Sequence, residues 1–307
     1  MIVSKIMTTI GNALEQGIYL LTKANQQAND HERFQDSTDR IARLDTQVLL
    51  SQVLNVDRSM LFAYPERQLS PQQEQQFFAL IERRKQGEPV AYLVGHQEFY
   101  GRNFFVDKRV LIPRPETELL VEVALHACRN MFDSGRTPVV ADIGTGSGAI
   151  PITLALEEPR LPYLYGTDIS TDALAVASLN CRQYHVEERV HLLQGDLLSP
   201  LPEPVDLVTA NLPYIGTEEI DGLEADVRDY EPHLALFSGP NGLDLLRRFF
   251  REARQPNKLK NGAVMVLEIG YKQREPLTHV LQESWPQAQA VFIKDYAGWD
   301  RVLQVTV

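Results

Sequence analysis

Cysteine is almost absent from this 307-residue chain: only Cys128 and Cys181 occur. Two cysteines cannot make a disulfide framework, and a pair of buried thiols is the expectation. Long apolar runs are missing too. No stretch approaches the ~18 consecutive apolar residues of a membrane-spanning helix. The opening "MIVSKIMTTIGNALEQ" lacks the charged-then-apolar layout of a secretory leader, so the expected location is the cytoplasm. The seven histidines are scattered without metal-ligand spacing, and no metal is expected. Positive charge is in short supply, with 30 Lys and Arg against 41 Asp and Glu and a net charge of −11. A protein that grips long nucleic acid presents a basic face to the phosphates. The acidic balance therefore turns the expectation toward a protein or small-molecule substrate, with no direct nucleic-acid binding. No internal repeat or low-complexity tract stands out, and a monomer is expected.

What is present divides into two parts. "NALEQGIYLLTKANQQA" and "RIARLDTQVLLSQVL" carry apolar residues at helical spacing, the second with Ile41, Leu44, Val48 and Leu49 on one face. The polar "NDHERFQDSTD" between them reads as a loop. "SPQQEQQFFALIERRKQGEP" opens with Ser70 as N-cap and Pro71 at the first helical position, and stops at Gly87 and Pro89. A small N-terminal helical domain over residues 1–90 follows. Aromatic and β-branched residues around Gly101 predict a hairpin within a linker, residues 91–115. From Glu116 an amphipathic helix leads into alternating strands and helices, residues 116–307. The strand candidates are "PVVADIG", "YLYGTDIS", "VHLLQGD", "VDLVTAN", "AVMVLEIG", "QAVFIKDY" and "RVLQVTV". This alternation predicts an α/β domain with a doubly wound, seven-stranded, mainly parallel sheet. Only "AGWD" joins the last two runs, too short for a crossover, so they should pair as an antiparallel hairpin.

"VVADIGTGSGAIPITLAL" is a buried strand, a glycine turn and a helix start. Glycines let the backbone turn tightly and approach a ligand, while the helix offers free N–H groups. Asp142 precedes the glycines, where it could face a cationic or amine-bearing ligand. Asp168 ends the next strand at the spacing of a ribose-binding carboxylate. Asp196 ends the following strand, where it could meet an adenine amino group. Three acids at successive strand ends line the crevice at the carboxyl edge of such a sheet. The run from Asp142 through Gly144, Thr145, Gly146 and Ser147 to Gly148, with Asp168, resembles the cofactor motif of S-adenosylmethionine-dependent methyltransferases, whose fold is Rossmann-like.

The fourth strand end carries Asn211, Leu212, Pro213 and Tyr214. An amide or aromatic amine nitrogen has a delocalised lone pair and is a poor nucleophile. Acceptors on its two N–H groups would orient it: the Asn211 side-chain oxygen and the main-chain carbonyl of Leu212. Tyr214 offers a face on which a flat group can stack. Where related enzymes have proline, Leu212 supplies the same carbonyl, and Pro213 biases it toward an extended backbone.

The segment "GEPVAYLVGHQEFYGRNFFVDKRVLIPRPETE", with "DYEPHLALFSGPNGLDLLRR" and "KDYAGWDRVL", resembles the HemK/PrmC family of release-factor glutamine methyltransferases. The resemblance spans nearly the whole chain beyond residue 70. It implies S-adenosylmethionine as cofactor and a release factor as protein partner, with the glutamine of its Gly-Gly-Gln loop as acceptor and the N-terminal helices as docking domain. It further implies that residues 144–148, Asp168, Asp196, Leu197 and Asn211 contact the cofactor, and that residues 211–214 hold the glutamine amide. Leu197 stands where some members place an aromatic ring over adenine. Phe99, Arg114 and Glu116 either line the same pocket or serve structure alone, and Glu231, Pro232 and Glu268 are weaker candidates. Three alternatives stay open: a glutamine methyltransferase of a ribosomal protein, an adenine methyltransferase of DNA or RNA, and a non-catalytic nucleotide-binding module or NAD oxidoreductase.

Overall fold

A computed structural model describes residues 8–28 and 35–307. Two compact units form: the described residues up to Gly95 together with Ala225–Tyr230, and His96–Glu224 together with Glu231–Val307.

The first unit is helical. Its elements are α1 (Ile10–Ala28), α2 (Gln35–Leu54), α3 (Arg58–Ala63), α4 (Pro71–Lys85) and α5 (Val90–Val94). Most of the expected loop between α1 and α2 lies outside the described residues, and its last part, from Gln35, is already helix. The buried face of α2 also differs from the expected one. Ala42, Thr46, Leu49, Leu50 and Leu54 are buried, whereas Ile41 and Leu44 are exposed and Val48 is half-buried. Thr46 can hold a core position because its hydroxyl donates to Ala42 O at 2.7 Å, so its own buried hydroxyl has a partner. Helix α4 begins as its sequence dictates. Ser70 Oγ accepts from Gln73 N at 3.2 Å while Ser70 N donates to Gln73 Oε1 at 3.0 Å, a reciprocal capping box. The short helix Ala225–Tyr230 belongs to this unit. Its Tyr230 hydroxyl donates to Gln86 O at 2.9 Å, and Arg84 pairs with Asp45 at 2.8 Å and Asp226 at 3.6 Å.

The second unit opens with the predicted hairpin, β1 (His96–Phe99) and β2 (Arg102–Phe105). Tyr100 and Gly101 both take positive φ at the turn, which matches the twist of the strands. Then follow α6 (Thr117–Asp133), β3 (Val140–Ile143), α7 (Ala149–Glu157), β4 (Leu164–Asp168), α8 (Thr171–Gln183), β5 (Val190–Gln194) and β6 (Val205–Ala210). After the helix Ala225–Tyr230 (α9) come α10 (Asp244–Ala253), β7 (Leu259–Glu268), α11 (Arg274–Ser284), β8 (Gln289–Lys294) and β9 (Asp300–Thr306). Strand β7 starts earlier than the expected Ala263, because Leu259 pairs with Val205 before a register irregularity.

The seven strands lie in the order β5-β4-β3-β6-β7-β9-β8. Only β9 runs against its neighbours, so the expected terminal antiparallel hairpin forms. Successive residues of a strand serve opposite faces. Val140 and Leu207 join a core with α6, α7 and α8. Ala141, Ile143, Val208 and Ala210 join a second core with α10 and α11. Both faces are thus covered, and burying this apolar surface is the main stabilising contribution. Cys128 and Cys181 are buried, and burial pushes both thiols up to about 12.

Candidate active site

The chain order reverses between β3 and β6, the switch point at which a crevice opens along the carboxyl edge of such a sheet. Register fixes what meets there. Ile143 pairs with Ala210 and with Thr167, and Asp168 pairs with Gln194. The glycine turn, Asp168, Gly195 and Asn211 therefore emerge from four adjacent strands at nearly one level. They line one crevice, which also takes in Ile169, Leu234 and Leu245.

Gly144, Gly146, Asp168, Asp196, Leu197, Asn211, Leu212 and Pro213 line the crevice. Gly146 takes φ +54, and a Cβ there would meet nothing within 4 Å. Its backbone is bare toward the crevice, and its N–H donates to Asp168 Oδ2 at 2.9 Å. Asp168 Oδ1 accepts from Ser170 N at 2.9 Å. A carboxylate offers about four acceptor positions, and what the backbone N–H groups of Gly146, Ser170 and Ile169 leave is open to a ribose hydroxyl. Burial raises the Asp168 carboxyl, opposed by these backbone N–H groups. Asp196 forms an ion pair with Arg248 of α10 at the crevice wall. Leu197 has φ +48, a strained backbone for a leucine. The Thr167 hydroxyl holds its carbonyl at 3.0 Å.

Asp142 is turned inward, a correction to the expectation that it faces a ligand. Its side chain has no exposure, and its oxygens accept from Thr145 Oγ1 and Thr209 Oγ1, both at 2.7 Å. It anchors the glycine turn from below, and burial pushes its carboxyl up to about 7. Thr145 and Ser147 are buried with it. Gly148 packs toward Ile152 and Ala177, where a Cβ would approach within 3.0 and 3.2 Å. These three residues shape the turn and do not line the crevice.

Phe99 does not reach the crevice. It is buried in the core against Phe104, with ring centroids 6.0 Å apart. Arg114 forms an ion pair with buried Glu231, whose other oxygen accepts from Ile112 N at 3.1 Å. The pair fastens the segment before α6 to the loop that contributes Pro232 to the crevice wall. Glu116 is exposed at the start of α6.

Tyr214 stands behind Asn211 and outside the crevice lining. Its hydroxyl donates to Glu268 Oε1 at 3.2 Å, and burial raises its pKa, reinforced by the Glu268 charge. Thr117 Oγ1 donates to Glu268 Oε2 at 2.6 Å and accepts from Asn211 Nδ2 at 3.2 Å. Burial raises the Glu268 carboxyl, opposed by the Thr117 hydrogen bond and Arg301.

Comparison with known proteins gives this arrangement its context. A family model described as the PrmC N-terminal domain matches residues 15–95, and one described as the methyltransferase small domain matches residues 117–223. The release factor glutamine methyltransferase of Bacillus anthracis is 40% identical over 260 residues, covering 84% of this chain and 90% of that one. Its counterpart in Moorella thermoacetica is 42% identical over 84% of this chain and 89% of that one. The one in Bacillus subtilis is 35% identical over 97% of both. The chain belongs to the release factor glutamine methyltransferase family. Among solved structures, the catalytic domain of hMettl16 in complex with MAT2A 3′UTR hairpin 1 has the same fold. It is 15% identical with a TM-score of 0.52, covering 74% of this chain and 79% of that one.

In this member of the release factor glutamine methyltransferase family, several site residues carry no local sequence signal. Thr117, inside the linker motif, is the residue of that motif that touches Asn211. Gln273 Nε2 donates to Tyr214 O at 2.9 Å and Gly242 O at 3.2 Å. A Cβ on Gly242, at φ +74, would fall 2.0 Å from Tyr214 O, so only glycine lets that loop close over the tetrapeptide. Ile169 and Leu234 line the crevice while 52% and 62% exposed. With Leu197 and Leu245 they form an aliphatic wall.

Proposed function

We infer that this enzyme transfers a methyl group from S-adenosylmethionine to the side-chain amide nitrogen of the glutamine in the Gly-Gly-Gln loop of peptide chain release factors. The observation that carries this reading is the placement of Asn211-Leu212-Pro213 beside the glycine turn in one crevice, in a chain of this family.

The residues present fit the cofactor. The bare Gly146 backbone, the remaining Asp168 acceptors and the aliphatic wall of Ile169, Leu197, Leu234 and Leu245 would hold a ribose and a flat apolar base. The aliphatic side chains serve in place of an aromatic ring at position 197. When bound, the cofactor supplies a methyl group on a sulfonium, already activated for transfer.

The protein's own work is orientation. Asn211 Oδ1 and the Leu212 carbonyl would accept the two amide N–H groups, aligning the nitrogen lone pair and raising its electron density. Holding reactants in line accounts for much of the rate gain in such a transfer. No strong general base is required, because the amide proton leaves more easily once the nitrogen has attacked. Tyr214 supports this surface from behind through its hydrogen bond to Glu268.

The N-terminal helices, residues 1–90, serve as the docking domain for the folded release factor, with residues 91–115 as linker to the catalytic domain, 116–307. A net charge of −11 favours a protein substrate over a nucleic acid, and the enzyme is proposed to work as a monomer in the cytoplasm. Among the described residues no helix is long and apolar enough to cross a membrane. Labelled methyl transfer from S-adenosylmethionine tests the reading. Purified release factor, ribosomal protein and nucleic acid are offered in parallel, and release factor should be labelled far faster than either other acceptor. Preferential labelling of a ribosomal protein, or of adenine in DNA or RNA, would contradict it.

A further inference from the structure

One buried carboxylate holds both ends of the tetrapeptide. Glu268, 1% exposed, accepts from Tyr214 on Oε1 and from Thr117 on Oε2. Thr117, 4% exposed, in turn accepts from the Asn211 amide.

The direction of each bond in this chain follows from Glu268 as a carboxylate. An ionised carboxylate only accepts, so the single hydroxyl hydrogen of Thr117 goes to Glu268. Thr117 is then left with lone pairs alone on the side facing Asn211. Only the NH₂ group of an amide can meet a lone pair, so Nδ2 turns toward Thr117 and Oδ1 turns away. Among the described residues Oδ1 has no hydrogen-bond partner, and Asn211 lines the crevice. A buried carboxylate is therefore spent on polarity as well as on holding the loop.

We propose that Glu268, acting through Thr117, is the positioning residue that fixes which face of the Asn211 amide is presented to the glutamine. This rests on the functional reading given above. Reversing the relay would turn the NH₂ group of Asn211 toward the substrate N–H that its oxygen should accept, a pairing that cannot form a hydrogen bond.

Glutamine at position 268 could turn either its oxygen or its NH₂ group to Thr117, since the Tyr214 hydroxyl both donates and accepts, so Glu268→Leu and Thr117→Val are the variants that cut the relay. Steady-state methylation of intact release factor by the full chain is the assay, with melting temperature and S-adenosylmethionine affinity measured on each variant. Each should lose at least 10-fold in kcat, with KM for the release factor and cofactor affinity within 2-fold of wild type, while Thr117→Ser, which keeps the hydroxyl, should retain most of it. Adding Thr117→Val to Glu268→Leu should cost little more, since the two changes break one chain. A wild-type kcat in Thr117→Val, or a loss confined to KM, cofactor affinity or melting temperature, would overturn the proposal and leave the functional reading standing. Failure of the wild-type enzyme to methylate release factor would overturn both.

Discussion

Asp142 lies beneath the glycine turn with no exposed surface, and its two oxygens are taken by Thr145 and Thr209. Burial pushes its carboxyl up to about 7 from an ordinary 3.8. A carboxyl whose pKa rises on folding contributes fully below the unfolded value, and that contribution is lost as pH climbs through the folded value. Asp142→Asn removes this titration while keeping the shape. The stability of the variant relative to wild type should therefore improve between about pH 4 and pH 8, by on the order of 1–4 kcal/mol. Thermal melts of both proteins across that range provide the measurement, and a difference independent of pH would contradict the assignment. At this scale the sequence is legible where neighbours along the chain act together. Gly144, Gly146 and Asn211 reach the crevice from motifs that a reader can recognise locally. Asp142 misleads because its position beside the glycines leaves the direction of its side chain open, and two threonines decide it. Thr117 lies 94 residues from Asn211 and 151 from Glu268, so no local pattern announces the relay.

Elements place these residues, and the loop before α10 does so by close approach. Gly242 sits at φ +74, where a Cβ would fall 2.0 Å from the Tyr214 carbonyl. Gln273, just before α11, donates to that same carbonyl at 2.9 Å. Gly242→Ala must push the loop off the tetrapeptide or strain it. The expected outcome is a lower melting temperature together with a fall in kcat of at least 10-fold, while Gly262→Ala serves as control. Gly262 also has positive φ, but no atom lies within 4 Å of its Cβ position, so it reports backbone strain alone. Equal activity in the two variants would contradict the contact argument. Strand runs with β-branched centres were legible, and so was the terminal hairpin, whose short connection forbids any other pairing. Helix α4 announced both its ends through Ser70 and Gly87. The core face of α2 was not legible from its largest apolar residues, because a self-satisfied Thr46 stands in for one of them. Helix α11 carries a mixed polar pattern, "REPLTHVLQES", and buries only Leu277, Val280 and Leu281, a weak signal beside the strands around it.

For the whole molecule, alternation of strands and helices announced the doubly wound sheet, since each crossover must return the chain to the same edge. The inclusion of Ala225–Tyr230 in the helical unit could not be read in advance. Its anchors are Arg84 and Gln86, more than a hundred residues earlier in the chain. The acidic charge balance and the family membership together point to a folded protein as acceptor, and the tetrapeptide of residues 211–214 serves as an amide holder backed by a buried carboxylate. Tandem mass spectrometry on intact release factor, incubated with this enzyme and S-adenosylmethionine, tests the account most directly. It predicts one added methyl on the side-chain nitrogen of the Gly-Gly-Gln glutamine with wild type and almost none with Asn211→Ala. An unmodified glutamine with the wild-type enzyme, or full modification by Asn211→Ala, would contradict it.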